Sequence, residues 1–396
     1  MSFNSIEQLA DQYYQYIKMT DCIFDINEEN MHEIFGLFNQ CKEKYSISDK
    51  QILKIIICAS KYRESRLELY FKLITSYFDQ ELIKNSKEIL DEKKNLKDAI
   101  FNHYNPDRNV QGGNKHILNQ FYKIPVKYFV NDDVDELIKF INDKSGQINT
   151  NATLHKKSYL NYCAMLGSVK CFEYLRINNA KIDDSTLENA VVGGNIEIFH
   201  MVEQLCNDND HYQIIHNTLL KAIQCHDDTF AYYLIDKYSL DFSFLRCAEC
   251  YNMKYFIYKL RNSKTINDRD EFESTALRAS IHFEIPSFVS YICNLDGCDL
   301  NLGDNQKETP LMTSAILGNE EIAKILIEKG ADLNLKSVSG YSALMYCCEN
   351  NSISIAKLLI ERGAIKYLWI DNRNKRIYAK DIAEEKGYQE IVNLLK

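Results

Sequence analysis

The segment from Glu308 to Ala364 states one pattern twice, and that repetition limits the possible folds more than any other feature of the chain. Glu308-Thr309-Pro310-Leu311 runs to Lys329-Gly330-Ala331, and Tyr341-Ser342-Ala343-Leu344 runs to Arg362-Gly363-Ala364, with a period of 33 residues. The Thr309 hydroxyl can cap a helix whose first turn holds Pro310, where a missing N–H costs nothing. Gly318-Asn319 breaks that helix, the spacing of Ile322, Ile325 and Leu326 starts a second, and Gly330 supplies the left-handed residue that ends it. A turn-rich stretch from Asp332 to Gly340 leads to the next cap. A helix-turn-helix unit this small cannot bury its own apolar face, so copies must stack.

Sliding the template along the chain places starts at Ile124, Ser158, Ser185, Asn217, Ser243, Thr275, Thr309, Ser342 and Tyr378. Two positions on stand Val126, Leu160, Leu187, Leu219, Leu245, Leu277, Leu311 and Leu344, with Lys380 the exception. Five on comes a small residue such as Ala190, Ala222, Ser314 or Cys347, with Phe129 the exception. Positions thirteen and seventeen on are apolar throughout, for example Ile322 with Leu326. Leucines fill the seam between units, and the small residue lets neighbouring helices approach. The starts from 158 to 275 are spaced 27, 32, 26 and 32 residues apart, so two connections there are clipped.

Thr-Pro-Leu, a small pair, Gly-Asn, Ile, Leu and Gly-Ala-Asp-Leu-Asn at this period resemble the ankyrin repeat. The tetrad's usual histidine is Met312 in one copy and Met345 in the other. That departure bears on the hydrogen bonds the histidine makes between neighbours and leaves the fold untouched. Decayed repeats behind a helical amino-terminal region are similar to large ankyrin families of parasitic protists.

The expected fold is all-α: a helical bundle over 1–101, a linker over 102–123 containing Pro106 and Gly112-Gly113, and about nine repeats over 124–396 forming a curved solenoid with hairpin or loop connections. Helices are expected near 5–18, 30–44, 49–61, 64–78 and 86–100, two of them opened by the capping boxes Ser5 to Gln8 and Ser48 to Gln51.

Composition narrows the function. The net charge is -9, and the acidity sits in the repeats, where 38 acidic residues face 30 basic ones over 124–396. Phosphate-backbone binding needs clustered Lys and Arg, so nucleic acid is excluded and protein partners are favoured. The amino terminus lacks a secretory pattern, and the longest apolar run, Ile55 to Ala59, is too short for a membrane span. Thirteen cysteines without a secretory signal suit reduced thiols in the cytoplasm, with the nucleus as the alternative.

No catalytic, cofactor or metal set emerges. Cys247-Ala248-Glu249-Cys250 offers half a zinc site with no second pair, and helix packing accounts for it. His226 takes the turn position held elsewhere by Gly, Asn or Asp, a conformational role. The position eight residues after each start (Leu166, Gly193, Cys225, Tyr251, Phe283, Leu317, Asn350, Lys386) corresponds, by the ankyrin resemblance, to the concave binding groove, and an apolar run there suits a protein contact. With Phe272, Val338 and Tyr341 at finger tips and Trp369 in a connection about three residues longer than its neighbours, it gives the candidate partner-binding set: Tyr251, Phe272, Phe283, Leu317, Val338, Tyr341 and Trp369. The expected function is a monomeric, non-catalytic protein-interaction scaffold. Its rivals are an adaptor of ubiquitin-ligase or cytoskeletal type, whose amino-terminal bundle recruits a second protein, and an enzyme with an amino-terminal site.

Overall fold

The computed structural model describes residues 3–63, 66–91, 128–129, 131–143, 153–154, 157–205, 211–372 and 375–396. The linker read at 102–123, the repeat start at Ile124 and the end of the helix read at 86–100 lie outside them. The amino-terminal region forms α1 (Phe3–Gln12), α2 (Tyr14–Phe24), α3 (Met31–Tyr45), α4 (Asp49–Tyr62), α5 (Leu67–Tyr77), α6 (Gln80–Asn85) and α7 (Lys87–Asp91). One expected helix over 5–18 is therefore two, and Ser5 lies inside α1 instead of capping it. Ser48 does form its capping box: its hydroxyl accepts from Gln51 N at 3.3 Å, and its own N–H donates to Gln51 Oε1 at 2.6 Å.

Helix α8 (Val134–Asp143) and the short pair β1 (Thr153–Leu154) and β2 (Lys157–Ser158) lead into paired helices. These are α9 (Tyr159–Leu166) with α10 (Val169–Ile177), α11 (Ser185–Gly193) with α12 (Ile196–Glu203), and α13 (His211–Gln224) with α14 (Asp228–Tyr238). Next come α15 (Phe244–Glu249) with α16 (Met253–Asn262), then α17 (Ala276–Ser280), continued by a 3-10 turn over Ile281–Phe283, with α18 (Pro286–Cys293). The chain ends with α19 (Pro310–Leu317) and α20 (Glu320–Glu328), α21 (Ala343–Asn350) and α22 (Ile353–Glu361), the hairpin β3 (Trp369–Asn372) and β4 (Lys375–Tyr378), and α23 (Ala379–Lys386) with α24 (Gln389–Leu394).

Two compact units share these elements. The carboxyl-terminal unit joins Met1–Ile17 and Glu43–Ile47 to Phe242–Lys396, and the central unit joins Lys18–Lys42 to Ser48–Asp241. In the carboxyl-terminal unit the first helices α15, α17, α19, α21 and α23 pack in succession, as do the second helices α18, α20, α22 and α24. In the central unit α9, α11 and α13 do the same. Each unit also contains part of the amino-terminal region.

Local chemistry explains the helix starts. Ser158, Ser243, Thr275, Thr309 and Ser342 cap first helices through their side-chain oxygens, and Pro310 occupies the first turn of α19. Met312 takes part where the family's histidine is missing, its sulfur lying 3.5 Å from Thr309 N. Asn217 starts nothing: α13 already begins at His211, and Asn217 lies in its middle.

The seam residues Leu160, Leu187, Leu219, Leu277, Leu311 and Leu344 are buried, with Ala190, Ala222, Ser314 and Cys347 beside them. Leu245 departs from the pattern, being half-buried, and Phe244 fills the core in its place, 5.0 Å from the Phe256 ring.

Candidate functional site

The repeats present two edges: the turns joining first to second helices, and the fingers joining one repeat to the next. In the carboxyl-terminal unit the amino terminus covers part of the turn edge, around Phe283 and Phe288. Helix α1 packs on α16. The Tyr13 ring meets Phe288 at 5.2 Å and its hydroxyl donates to Ser287 Oγ at 3.0 Å, while Tyr16 meets Phe283 edge-on at 6.2 Å. Phe283 also touches Phe256 and Phe288, at 5.3 and 5.5 Å between ring centroids, and is only 2% exposed. It belongs to the core, which corrects its placement as an open groove residue. Aromatic edges and faces satisfy one another here, so Phe283 itself presents no open face to a partner.

The central unit treats its turn edge in the same way with polar groups. Arg63, 7% exposed, donates from Nη1 to Val192 O at 3.0 Å and from Nη2 to Cys225 O at 2.9 Å. It thereby caps carbonyls at the ends of two successive first helices, where a cation also suits the helix dipole. His226 holds the left-handed turn conformation with φ 54°. Its ring does more than the turn requires, stacking on Phe24 at 3.9 Å and meeting Asp21 Oδ1 at 2.7 Å through Nδ1.

A cavity of about 280 Å³ near Arg63 is lined by Asp25, Arg66, Leu166, Gly193 and Asp227, among others. Arg66 is paired with Asp25 at 2.6 Å, and the lining holds no histidine, cysteine, serine or lysine among the described residues. Cys247 and Cys250 are buried, with the Cys250 sulfur 3.1 Å from Arg246 O, and no group of ligating side chains suited to a metal occurs among the described residues.

The finger edge of the carboxyl-terminal unit is different. Asp270 accepts from Phe272 N at 3.0 Å and Ser274 N at 2.9 Å; Asp304 accepts from Gln306 N and Glu308 N, both at 2.9 Å; Ser337 Oγ accepts from Tyr341 N at 3.2 Å. Each short polar side chain closes its own turn. The fingers are also joined to one another: Asn305 N donates to Phe272 O at 3.3 Å, Val338 N to Gln306 O at 2.7 Å, and Lys336 Nζ to Trp369 O at 2.7 Å.

Buried Arg278 stiffens the same edge. Its Nε donates to Glu308 O at 3.0 Å, and its Nη2 lies 2.8 Å from Asp304 and 3.3 Å from Glu308. Arg278 stands three residues after Thr275, the place of the family's histidine. Asn161, three after Ser158, likewise reaches Asp183 at 2.9 Å and Ser185 at 3.0 Å in the next repeat. That offset was the signal by which these inter-repeat links could have been found.

The fingers bring together Phe272, Val338, Tyr341 and Trp369. Phe272 is half-buried with the Arg246 guanidinium 4.9 Å from its ring, and Tyr341 is half-buried on Tyr346 at 5.1 Å. Val338 is 61% and Trp369 40% exposed. Tyr251 sits apart in the left-handed turn before α16, half-buried, and Leu317 ends α19 at 39% exposure.

Paired helices, shared leucine seams and linked fingers define a stacked helix-pair repeat protein whose exposed apolar side chains offer surface for contact. The carboxyl-terminal unit matches the profile "Ankyrin repeats (3 copies)" over 244–337 and "Ankyrin repeat" over 339–373, and residues 177–259 match a "Domain of unknown function (DUF3447)". The chain is an ankyrin-repeat protein. No curated protein matches it significantly. Ankyrin repeats are in general protein-interaction modules, and no helix among the described residues is long and apolar enough to cross a membrane.

Proposed function

We propose that this chain is a non-catalytic scaffold that binds a protein partner through the finger edge of its carboxyl-terminal repeats, with Phe272, Val338, Tyr341 and Trp369 as contacts and Leu317 as an outlying one. The observation that carries the reading is the contrast between the two edges. The turn edge at Phe283 and Phe288 is filled by Tyr13 and Tyr16, whereas the fingers carry exposed apolar side chains on a hydrogen-bonded backbone. A rigid surface loses little entropy on association, which favours affinity. The adaptor reading has less support, because Tyr13 and Tyr16 of the amino-terminal helices are already committed to the repeats. The free cysteines suit a reducing compartment and a cytoplasmic location.

The test is affinity capture with the full-length chain, followed by binding measurements on Phe272→Ala, Val338→Ala and Tyr341→Ala. Aromatic anchors near the centre of an interface contribute about 2 kcal/mol or more each, so affinity should fall at least about tenfold while melting curves stay nearly unchanged. Full affinity in all three variants would overturn the finger assignment.

A further inference from the structure

The fourth finger of the carboxyl-terminal unit is unlike the others. Where the fingers at 270, 304 and 337 are tight turns closed by one side chain, β3 and β4 form a hairpin with four residue pairs, from Trp369 opposite Tyr378 to Asn372 opposite Lys375. Strand alternation puts Trp369, Asp371, Arg376 and Tyr378 on one face. The Arg376 guanidinium lies 4.6 Å from the Trp369 ring, and Lys336 Nζ, from the preceding finger, lies 5.3 Å from it. Two cations thus flank the one tryptophan of the chain.

Neither cation has a carboxylate partner among the described residues. Asp371 stands opposite Arg376 in register, yet the guanidinium lies on the indole and forms no ion pair with it. The local sequence inverts the overall balance: between 366 and 380 it carries Lys366, Arg373, Lys375, Arg376 and Lys380 against Asp371 alone. Lys380 lies 3.5 Å from Glu384, whereas Lys336, which gives one of its three N–H groups to Trp369 O at 2.7 Å, and Arg376 keep donors for an outside anion.

Apolar surface surrounds them. Tyr367 is 70%, Val338 61% and Ile365 48% exposed, and Ile370 packs against Gly340 of the neighbouring finger. An aromatic and arginine centre with apolar neighbours is the composition of an interface hot spot. The unpaired cations set the sign of what it meets.

We propose that the β3–β4 hairpin, with Lys336 and Val338 beside it, is the docking site for an acidic protein segment carrying apolar side chains. Its carboxylates would meet Lys336 and Arg376, and its apolar groups would lie on Trp369, Tyr367 and Val338. A nucleic-acid backbone is the poorer fit, since the net charge of -9 opposes a polyanion that offers no apolar side chain. The proposal rests on the scaffold reading above and adds the chemistry of the partner.

Because Trp369 is the single tryptophan, its emission reports on the site in the unmodified full-length chain. The probe is a short peptide of alternating leucine and glutamate, free of aromatic residues. The expected result is a saturable change in emission, weakened by salt, reduced about tenfold or more in apparent affinity by Lys336→Glu or Arg376→Glu, and absent with lysine in place of glutamate. No saturable change, or one indifferent to both variants, overturns the proposal. So does a response to a single-stranded oligonucleotide or phosphatidylserine vesicles without a response to the peptide. Emission that shifts with the concentration of the chain alone would make the occupant a second copy and also overturn it. If the peptide fails while a captured partner still loses affinity in Phe272→Ala and Val338→Ala, the scaffold reading survives and only the hairpin assignment falls.

Discussion

Arg278 shows how much one side chain can hold. A buried guanidinium is tolerated when its hydrogen bonds are met, and here Asp304, Glu308 and the Glu308 carbonyl meet them. Arg278→Ala leaves those carboxylates without their cation, and we expect a loss of about 3–5 kcal/mol in urea melts. Leu311→Ala and Leu344→Ala, at seam positions each 1% exposed, should each cost about 2–5 kcal/mol. His282, beside Arg278 and desolvated by burial, has its pKa lowered from 6.5 to about 4. The unfolded chain therefore takes up this proton first. The stability contribution is fully present above about 6.5 and falls as pH drops toward 4, reaching about 2 kcal/mol of loss near pH 5. Comparing wild type with His282→Gln at pH 7 and pH 5 isolates the effect; equal pH slopes in the two proteins would contradict it.

Among elements, the carboxyl-terminal helix pairs have the best local support. Helices α19 to α22 carry Thr309 and Ser342 caps, Pro310 and left-handed residues at Gly318 and Asn351. Helix α15 has only six residues, and the connections from α10 to α11 over 178–184 and from α14 to α15 over 239–243 are clipped beside that from α20 to α21 over 329–342. Hydrogen exchange over 309–364 should therefore be slower than over 185–274, and the reverse order would contradict this account of local stability. The helix pairs were legible in the sequence because the seam demands particular side chains: a leucine at 311 and 344, a small residue at 314 and 347. Other features were not. Asn217 looked like a start because its downstream spacing is correct, although α13 begins earlier, and Phe244 displaced Leu245 because two adjacent apolar residues satisfy the same pattern. The long connection at Trp369 was visible as extra length; its cross-strand register and flanking cations depend on the neighbouring finger and were not.

For the whole molecule, the amino-terminal helices belong to the two units and not to a self-contained bundle. Each unit has its own version of this arrangement: Tyr13 and Tyr16 on Phe288 and Phe283 in one, Arg63, Asp21 and Phe24 on the turns of α11 to α14 in the other. A periodic sequence pattern identifies an apolar position, but cannot say whether the same chain or a partner covers it, which is why Phe283 looked like binding surface. Tyr16→Ala should cost about 3–5 kcal/mol and speed exchange over 276–293, since it opens the aromatic cluster around Phe283. The central claim is that the turn edge around Phe283 and Phe288 is closed by the chain itself and that partners meet the fingers. Hydrogen exchange of the full-length chain, free and saturated with its captured partner, tests it most directly. The account predicts new protection over 336–341 and 367–378 with 281–288 and 3–17 unchanged; protection at 281–288 together with loss of protection at 3–17 would mean that a partner displaces the amino terminus, and would contradict it.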